Sequence, residues 1–179
     1  GAHTLFMKTD GHSPSITGGT NTDTGNLAEA NETNNTAAIA LTLSRPDLVL
    51  SGTTVGAVVA NPNGSYSIPV TFTVTNNGTV EAQPAWFDLA YLSTDGVLDN
   101  ADQSLGNYNY RSTALAPGAS YTVTITYTTS TTTAGGAHTL FMKTDGHSPS
   151  ITGGTNTDTG YLVESDEMNN TQANPVTLP

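Results

Sequence analysis

Tyr121, Val123, Ile125 and Tyr127 alternate with Thr122, Thr124, Thr126 and Thr128. A period of two predicts a half-buried β-strand. Tyr66–Thr75 repeats the pattern, with Ile68, Val70, Phe72 and Val74 on one face and Thr71, Thr73 and Thr75 on the other. Pro84–Ser93 sets Phe87, Leu89 and Tyr91 against Trp86, Asp88 and Ala90, and Trp86 is expected in the core or at its rim. Asp47–Val59 carries Leu48, Leu50, Val55, Val58 and Val59 and predicts a strand broken near Gly52 or Gly56. Asn107–Ser112 predicts a short strand near an edge. Asn61-Pro62-Asn63-Gly64, Asn76-Asn77-Gly78 and Ala116-Pro117-Gly118 punctuate these runs as turns. No stretch has the period of an amphipathic helix. The abundant threonine fits strands, where β-branching is tolerated and the hydroxyl faces water.

Gly1–Gly25 and Gly136–Gly160 are identical letter for letter, 135 residues apart. Beyond the identical block, Leu27, Glu29, Glu32, Asn34 and Asn35 still meet Leu162, Glu164, Glu167, Asn169 and Asn170. Self-similarity at a fixed period marks a tandem array. Residues 1–44 read as the last two strands of a preceding repeat, Gly1–Lys8 and Thr33–Leu43, joined by the long polar loop Thr9–Glu32. Residues 45–179 read as one complete repeat. About seven strands with frequent turns predict an all-β, seven-stranded immunoglobulin-like β-sandwich for that repeat. The joint Ser44-Arg45-Pro46 is short and contains proline, so successive units are expected to form a semi-rigid rod. A lone two-stranded ribbon is marginal in water. The first ribbon is therefore expected to take strands from another copy of the chain, upstream or in a second molecule, in contacts that run head to tail toward a filament. Alternatively, the two ribbons compete within one chain for Asp47–Thr128.

Composition narrows the partners. The 179-residue chain has a net charge of −11 and only four Lys+Arg, which speaks against nucleic acid as a partner. It contains no Cys, so neither disulfides nor thiolate metal sites hold it. No run approaches the roughly 20 apolar residues of a direct membrane span. With so few cations, the carboxylates need salt, water or a divalent metal as counter-charge.

A series of short motifs runs through the repeat. Arg45-Pro46-Asp47-Leu48-Val49-Leu50 opens it, and Val70-Thr71-Phe72-Thr73-Val74-Thr75-Asn76-Asn77-Gly78-Thr79 follows. Then come Tyr91-Leu92-Ser93-Thr94-Asp95, Leu115-Ala116-Pro117-Gly118 and Val163-Glu164-Ser165-Asp166-Glu167-Met168-Asn169-Asn170. In order and spacing the series resembles the CARDB domain, the cell-adhesion-related domain found in bacteria. The resemblance covers Arg45–Leu178, and Gly1–Leu43 matches the family's last third. It implies a seven-stranded sandwich, usually in tandem on large secreted or surface proteins, without catalytic residues. The loop Gly146–Gly160 is longer than the family's usual connection.

Two acidic stretches are candidate calcium sites, because calcium takes six to eight hard oxygens. Asp95, Asp99 and Asp102 share one loop, without the closing glutamate or helices of an EF-hand. Asp145, Asp158, Glu164, Asp166, Glu167, Asn169 and Asn170 gather around the last loop and strand. Asp10, Asp23, Glu29, Glu32, Asn34 and Asn35 are their counterparts in the first copy, with Asn31 in place of Asp166. The alternative at both places is carboxylates capping local backbone amides. His12 and His147 each stand in Gly-His-Ser-Pro-Ser, but no nucleophile elbow accompanies them. Asn31, Asn34, Asn63, Asn77 and Asn169 begin glycosylation triplets of a kind that arise readily in a Thr- and Asn-rich chain. The expected function is a structural, adhesive repeat of an extracellular or cell-surface protein. The rival is a carbohydrate-binding accessory module, with Trp86, Tyr108 and Tyr110, joined by Tyr161, as a stacking platform for surface glycans. No constellation of nucleophile, base and orienter supports an enzyme.

Overall fold

The computed structural model describes residues 2–11, 25, 27–147, 155–157 and 159–179, and the side chain of Glu32 lies outside that description. The chain divides into two compact units, Gly1–Leu43 and Ser44–Pro179.

In the first unit β1 (Ala2–Lys8) pairs antiparallel with β2 (Thr36–Thr42), from Ala2 opposite Thr42 to Lys8 opposite Thr36. A 3-10 turn, Glu32–Asn34, leads into β2 and is capped by Asn31, whose Oδ1 accepts the Thr33 N–H at 2.9 Å.

The second unit is a two-sheet β-sandwich. One sheet is built on β5 (Tyr66–Asn76). β9 (Ser120–Thr128) runs along one side of it. β3 (Leu48–Val55) and the short β4 (Val59–Ala60) share the other side. The expected break in the first strand is real: the register shifts between Ser51 and Thr54, around Gly52 with φ +61°. The other sheet centres on β6 (Trp86–Ser93) and β10 (Gly136–Gly146), with β11 (Thr171–Leu178) beyond β10. The far edge of β6 is shared by β7 (Gln103–Ser104) and β8 (Asn109–Arg111). β7 lies inside the stretch that reads as loop from sequence.

The alternating positions do what their period predicts. Ile68, Val70, Phe72 and Val74 of β5, with Leu48 and Leu50 of β3, bury against Trp86, Ala90, Leu92, Leu140, Met142, Val176 and Leu178 of the facing sheet. On the outer face of β5 and β9, Thr71 meets Thr124 and Thr73 meets Thr122 through hydroxyl hydrogen bonds of 2.8 Å. β6 is buried on both faces. Leu89 and Tyr91 form a second apolar layer with Phe141, against Phe87 and Leu98, on the side away from the core. Trp86 is fully buried.

Asn76 ties the end of β5 to the start of the sandwich. Its Oδ1 accepts the N–H of Asp47 at 3.1 Å and of Gly78 at 3.0 Å, while its Nδ2 donates to the carbonyls of Val80 and Leu115 at 2.8 Å. Gly78 passes so close to this corner that a β-carbon there would sit 2.6 Å from the Asp47 nitrogen, which is backbone and cannot swing aside. Gly78→Ala is therefore expected to cost about 1–3 kcal/mol, read as a lowered urea midpoint with an unchanged slope.

Candidate metal centre

The end of β10 bends at Lys143–Gly146, where the register with β6 shifts. Asp145 takes a left-handed φ of 51° at this bend. Its carboxylate turns inward and receives two amides of the returning chain: Oδ1 accepts the Tyr161 N–H at 3.1 Å, and Oδ2 the Leu162 N–H at 2.9 Å. Gly160, with φ +86°, lies against the Asp145 carbonyl and leaves no space for a side chain. One aspartate and one glycine thus close the base of the long loop.

Two glutamates complete the group. Glu164 Oε2 accepts the Leu48 N–H, and Oε1 accepts from Asn170 Nδ2 at 3.0 Å. Glu167 Oε1 accepts the Glu164 N–H at 2.8 Å. Asp145, Glu164 and Glu167 each offer an oxygen within 4.8 Å of the others. Asp145 and Glu164 are buried. Burial, the largest effect, raises the Asp145 carboxyl to about 7 against the two amides it accepts. Glu164 rises to about 8, again chiefly through burial, and the charges of Asp145 and Glu167 add to it.

Three further acceptor atoms are buried here with no hydrogen-bond donor: Glu167 Oε2, Asn169 Oδ1 and Asn170 Oδ1. The Asn169 amide nitrogen is engaged, donating to Asp47 Oδ1 at 2.9 Å. Three carboxylates this close together, with buried acceptors that lack donors on the same loop, suit a cation, since unpaired buried acceptors and like charges are both costly. The donor set is all oxygen, which fits a hard divalent ion and not one that prefers sulfur or nitrogen. An open cleft of about 290 Å³, lined by Lys143, Asn156, Glu167 and Asn170 among others, gives access.

The other predicted residues are placed differently. Asp166 faces out and caps a turn, its Oδ1 accepting the Met168 N–H at 2.8 Å. Asp158 lies outside the described residues, as do Asp23 and His12. Asp95 Oδ1 accepts the Val97 N–H and Asp99 Oδ1 the Ala101 N–H, at 2.9 and 2.7 Å. Asp102 Oδ2 accepts the Asp99 N–H at 2.9 Å. These three carboxylates cap local backbone and are not brought together. Among the described residues, Asp145, Glu164 and Glu167 form the one carboxylate group close enough to share an ion.

Asp88 is not among the site residues expected from sequence. It is fully buried and accepts from Tyr121 Oη at 2.8 and 3.1 Å, Thr144 Oγ1 at 2.7 Å and Asn109 Nδ2 at 2.7 Å. Trp86 Nε1 donates to the same tyrosine oxygen at 3.1 Å. Burial raises the Asp88 carboxyl, and the donors and the Arg111 charge oppose that rise. Its sequence signal is an acid at an inward position of a strand. The aromatic platform also differs from expectation. Trp86 is buried and cannot join it, and Phe87 takes its place, with ring centroids 5.0 Å from Tyr110, 5.3 Å from Tyr108 and 6.3 Å from Tyr161.

Fold and site together define a β-sandwich module whose terminal strand pair carries a buried acidic cluster. The CARDB family profile matches residues 45–174, and the chain belongs to that family of non-catalytic modules of bacterial proteins. No curated protein matches. Among solved structures it is similar to the CARDB domain of a Pyrococcus furiosus protein crystallised in complex with di-metal ions. The identity is 20% and the TM-score 0.47, over 76% of this chain and 96% of that one. It is also similar to a β-glucosidase involved in saponin metabolism from intestinal bacteria, at 15% identity and a TM-score of 0.43. A Streptomyces venezuelae β-glucosidase in complex with D-glucose matches at 21% identity and a TM-score of 0.39. Each match covers 76% of this chain but only 17% and 15% of the respective enzyme. Among the described residues no helix is long and apolar enough to cross a membrane.

Proposed function

We propose that this chain is a structural, adhesive repeat of an extracellular bacterial protein, joined to further repeats in tandem or head to tail and stiffened by calcium. One observation carries this reading. The acidic cluster holds the last loop onto Asp47 and Leu48, the first residues after the Ser44-Arg45-Pro46 joint. Ser165 N–H also donates to the Pro46 carbonyl at 3.0 Å, and Arg45 Nη1 to the Glu164 carbonyl at 3.3 Å. Asp145, Glu164 and Glu167, with the amide oxygens of Asn169 and Asn170, would hold the ion. It would neutralise their charge and fix the start of the sandwich against its end. The test is thermal melting in metal-free buffer, then in millimolar calcium, then with excess chelator. Binding to the folded state alone raises the melting temperature by mass action. The gain is expected to vanish with chelator and in Glu164→Gln, and an unmoved melting temperature removes calcium from the reading.

A second reading, a carbohydrate-binding accessory module of a secreted multidomain protein, rests on the exposed rings of Tyr108, Tyr110 and Tyr161 around Phe87. Aromatic faces present apolar area with a polar tip, which suits the faces of sugar rings. Glycan-array binding that disappears in Tyr108→Ala/Tyr110→Ala supports it, and an array without hits ends it.

A further inference from the structure

The same amino-acid sequence sits in two environments. Among the described residues β10 pairs with β11 on one side and β6 on the other, whereas β1 pairs with β2 on one side. The core-facing residues differ accordingly. Leu140, Met142, Val176 and Leu178 are 0%, 0%, 6% and 2% exposed. Their counterparts Leu5, Met7, Leu41 and Leu43 are 50%, 57%, 44% and 41% exposed. Ile39 faces the same way, where the second copy has Asn174, so the uncovered face is the more apolar of the two. The interface this face fits is already drawn in the second unit: the edge of β6, with the facing β3–β5–β9 sheet behind it.

The chain's own strands cannot supply that cover in register. Leu48 pairs with Asn76, at the far end of β5 from Tyr66. Gly135 and the carbonyl of Leu178 lie beside Tyr66. The end of the second strand of a docked ribbon and the start of β3 are therefore about 25–33 Å apart, from roughly 3.3 Å per strand residue. Ser44–Asp47 reach about 17 Å when fully extended. That gap makes docking within one chain, the alternative expected from sequence, the poorer source of the cover.

Resting on the tandem-repeat reading above, we infer that the Ala2–Thr42 ribbon is a docking site for the half-sandwich of another repeat, a segment with the sequence pattern of residues 45–135. β1 takes the place of β10 in that half, setting Leu5 opposite the counterpart of Leu92, Phe6 opposite that of Tyr91 and Met7 opposite that of Ala90, as Leu140, Phe141 and Met142 do here. A whole second copy is a poor occupant, because its own β6 edge is already filled by β10.

The test compares the full chain with the same chain carrying an added copy of residues 45–135 ahead of Gly1. Hydrogen exchange in β1 is expected to slow at least about a hundredfold in the extended chain, approaching that of β10. Leu5→Asp in the extended chain is expected to return β1 to fast exchange while β10 stays protected. Unchanged exchange in β1 of the extended chain overturns the inference. So does concentration-dependent self-association of the unextended chain that protects β1 to the same degree, because a whole copy would then be the occupant. Failure of the calcium test leaves these outcomes unaffected, so the two proposals fail separately.

Discussion

Asp88→Ala is expected to lower the stability of the sandwich by about 3–5 kcal/mol, the range found when one partner of a buried charged network is removed. The substitution leaves the hydroxyls of Tyr121 and Thr144 and the amide of Asn109 without their acceptor, and Thr144, like Asp88 itself, is fully buried. It also opens a cavity beside Trp86, whose indole nitrogen depends on the same tyrosine oxygen. The three donors come from different strands, β8, β9 and β10, so one carboxylate links both sheets. Asp88→Asn keeps the volume and one acceptor and is expected to cost less. Tyr121→Phe removes a single donor and is expected to cost about 1–2 kcal/mol. Urea unfolding of the three variants, with the double variant to give the coupling, measures all of this. A loss below about 1 kcal/mol in Asp88→Ala would show that the network contributes little.

The second large effect is a dependence on pH in metal-free buffer. Asp145 and Glu164 titrate near 7 and 8 in the folded chain, against ordinary values of 3.8 and 4.5. Between those limits the folded state holds more protons than the unfolded one. The stability this represents is fully present below about pH 4 and is lost as pH rises through 7 and 8. A carboxyl whose titration moves by one pH unit on folding contributes about 1.4 kcal/mol. Discounted for the water that reaches the cleft, the decline between pH 5 and 8 is expected to reach about 2–4 kcal/mol. Repulsion within a chain of net charge −11 has the same sign, so Glu164→Gln serves as the control and should flatten the profile. Saturating calcium should flatten it too, the ion replacing the protons. Urea midpoints at four pH values with chelator present test this, and a level profile would mean that the carboxylates are solvated.

The period-two runs are legible in sequence because each face of β5 and β9 meets a single environment. Aliphatic side chains enter the core and threonines face out. Gly52 and Gly56 announce the broken first strand for the same local reason. β6 is harder to read. Leu89 and Tyr91 face away from the main core yet are buried, since a second apolar layer with Phe141 and Leu98 covers them. Asp88 shows in sequence only as an acid at an inward strand position, because its partners Tyr121 and Thr144 lie 33 and 56 residues away. Within the acidic stretch the internal repeat keeps Asp145, Asp158, Glu164 and Glu167 as Asp10, Asp23, Glu29 and Glu32, without telling which of them meet. It cannot show that Asp166, between the two glutamates, turns outward to cap its own turn. The spacing of Asp95, Asp99 and Asp102 resembles a ligand loop, but carboxylates two or three residues from an amide cap it as readily.

Asp10 and Asp145 share the same backbone twist, φ 50° and 51°, and each accepts an amide 17 residues onward, that of Leu27 and that of Leu162. Among the described residues β1 pairs with β2, and β10 pairs with both β11 and β6. In both hairpins the contact joins residues only 17 apart in the chain. Short closures cost little chain entropy, so this corner takes shape early on a growing polypeptide. As synthesis proceeds from the N-terminus, the strands that the second hairpin closes over, β3 to β9, have already emerged when its knot is made.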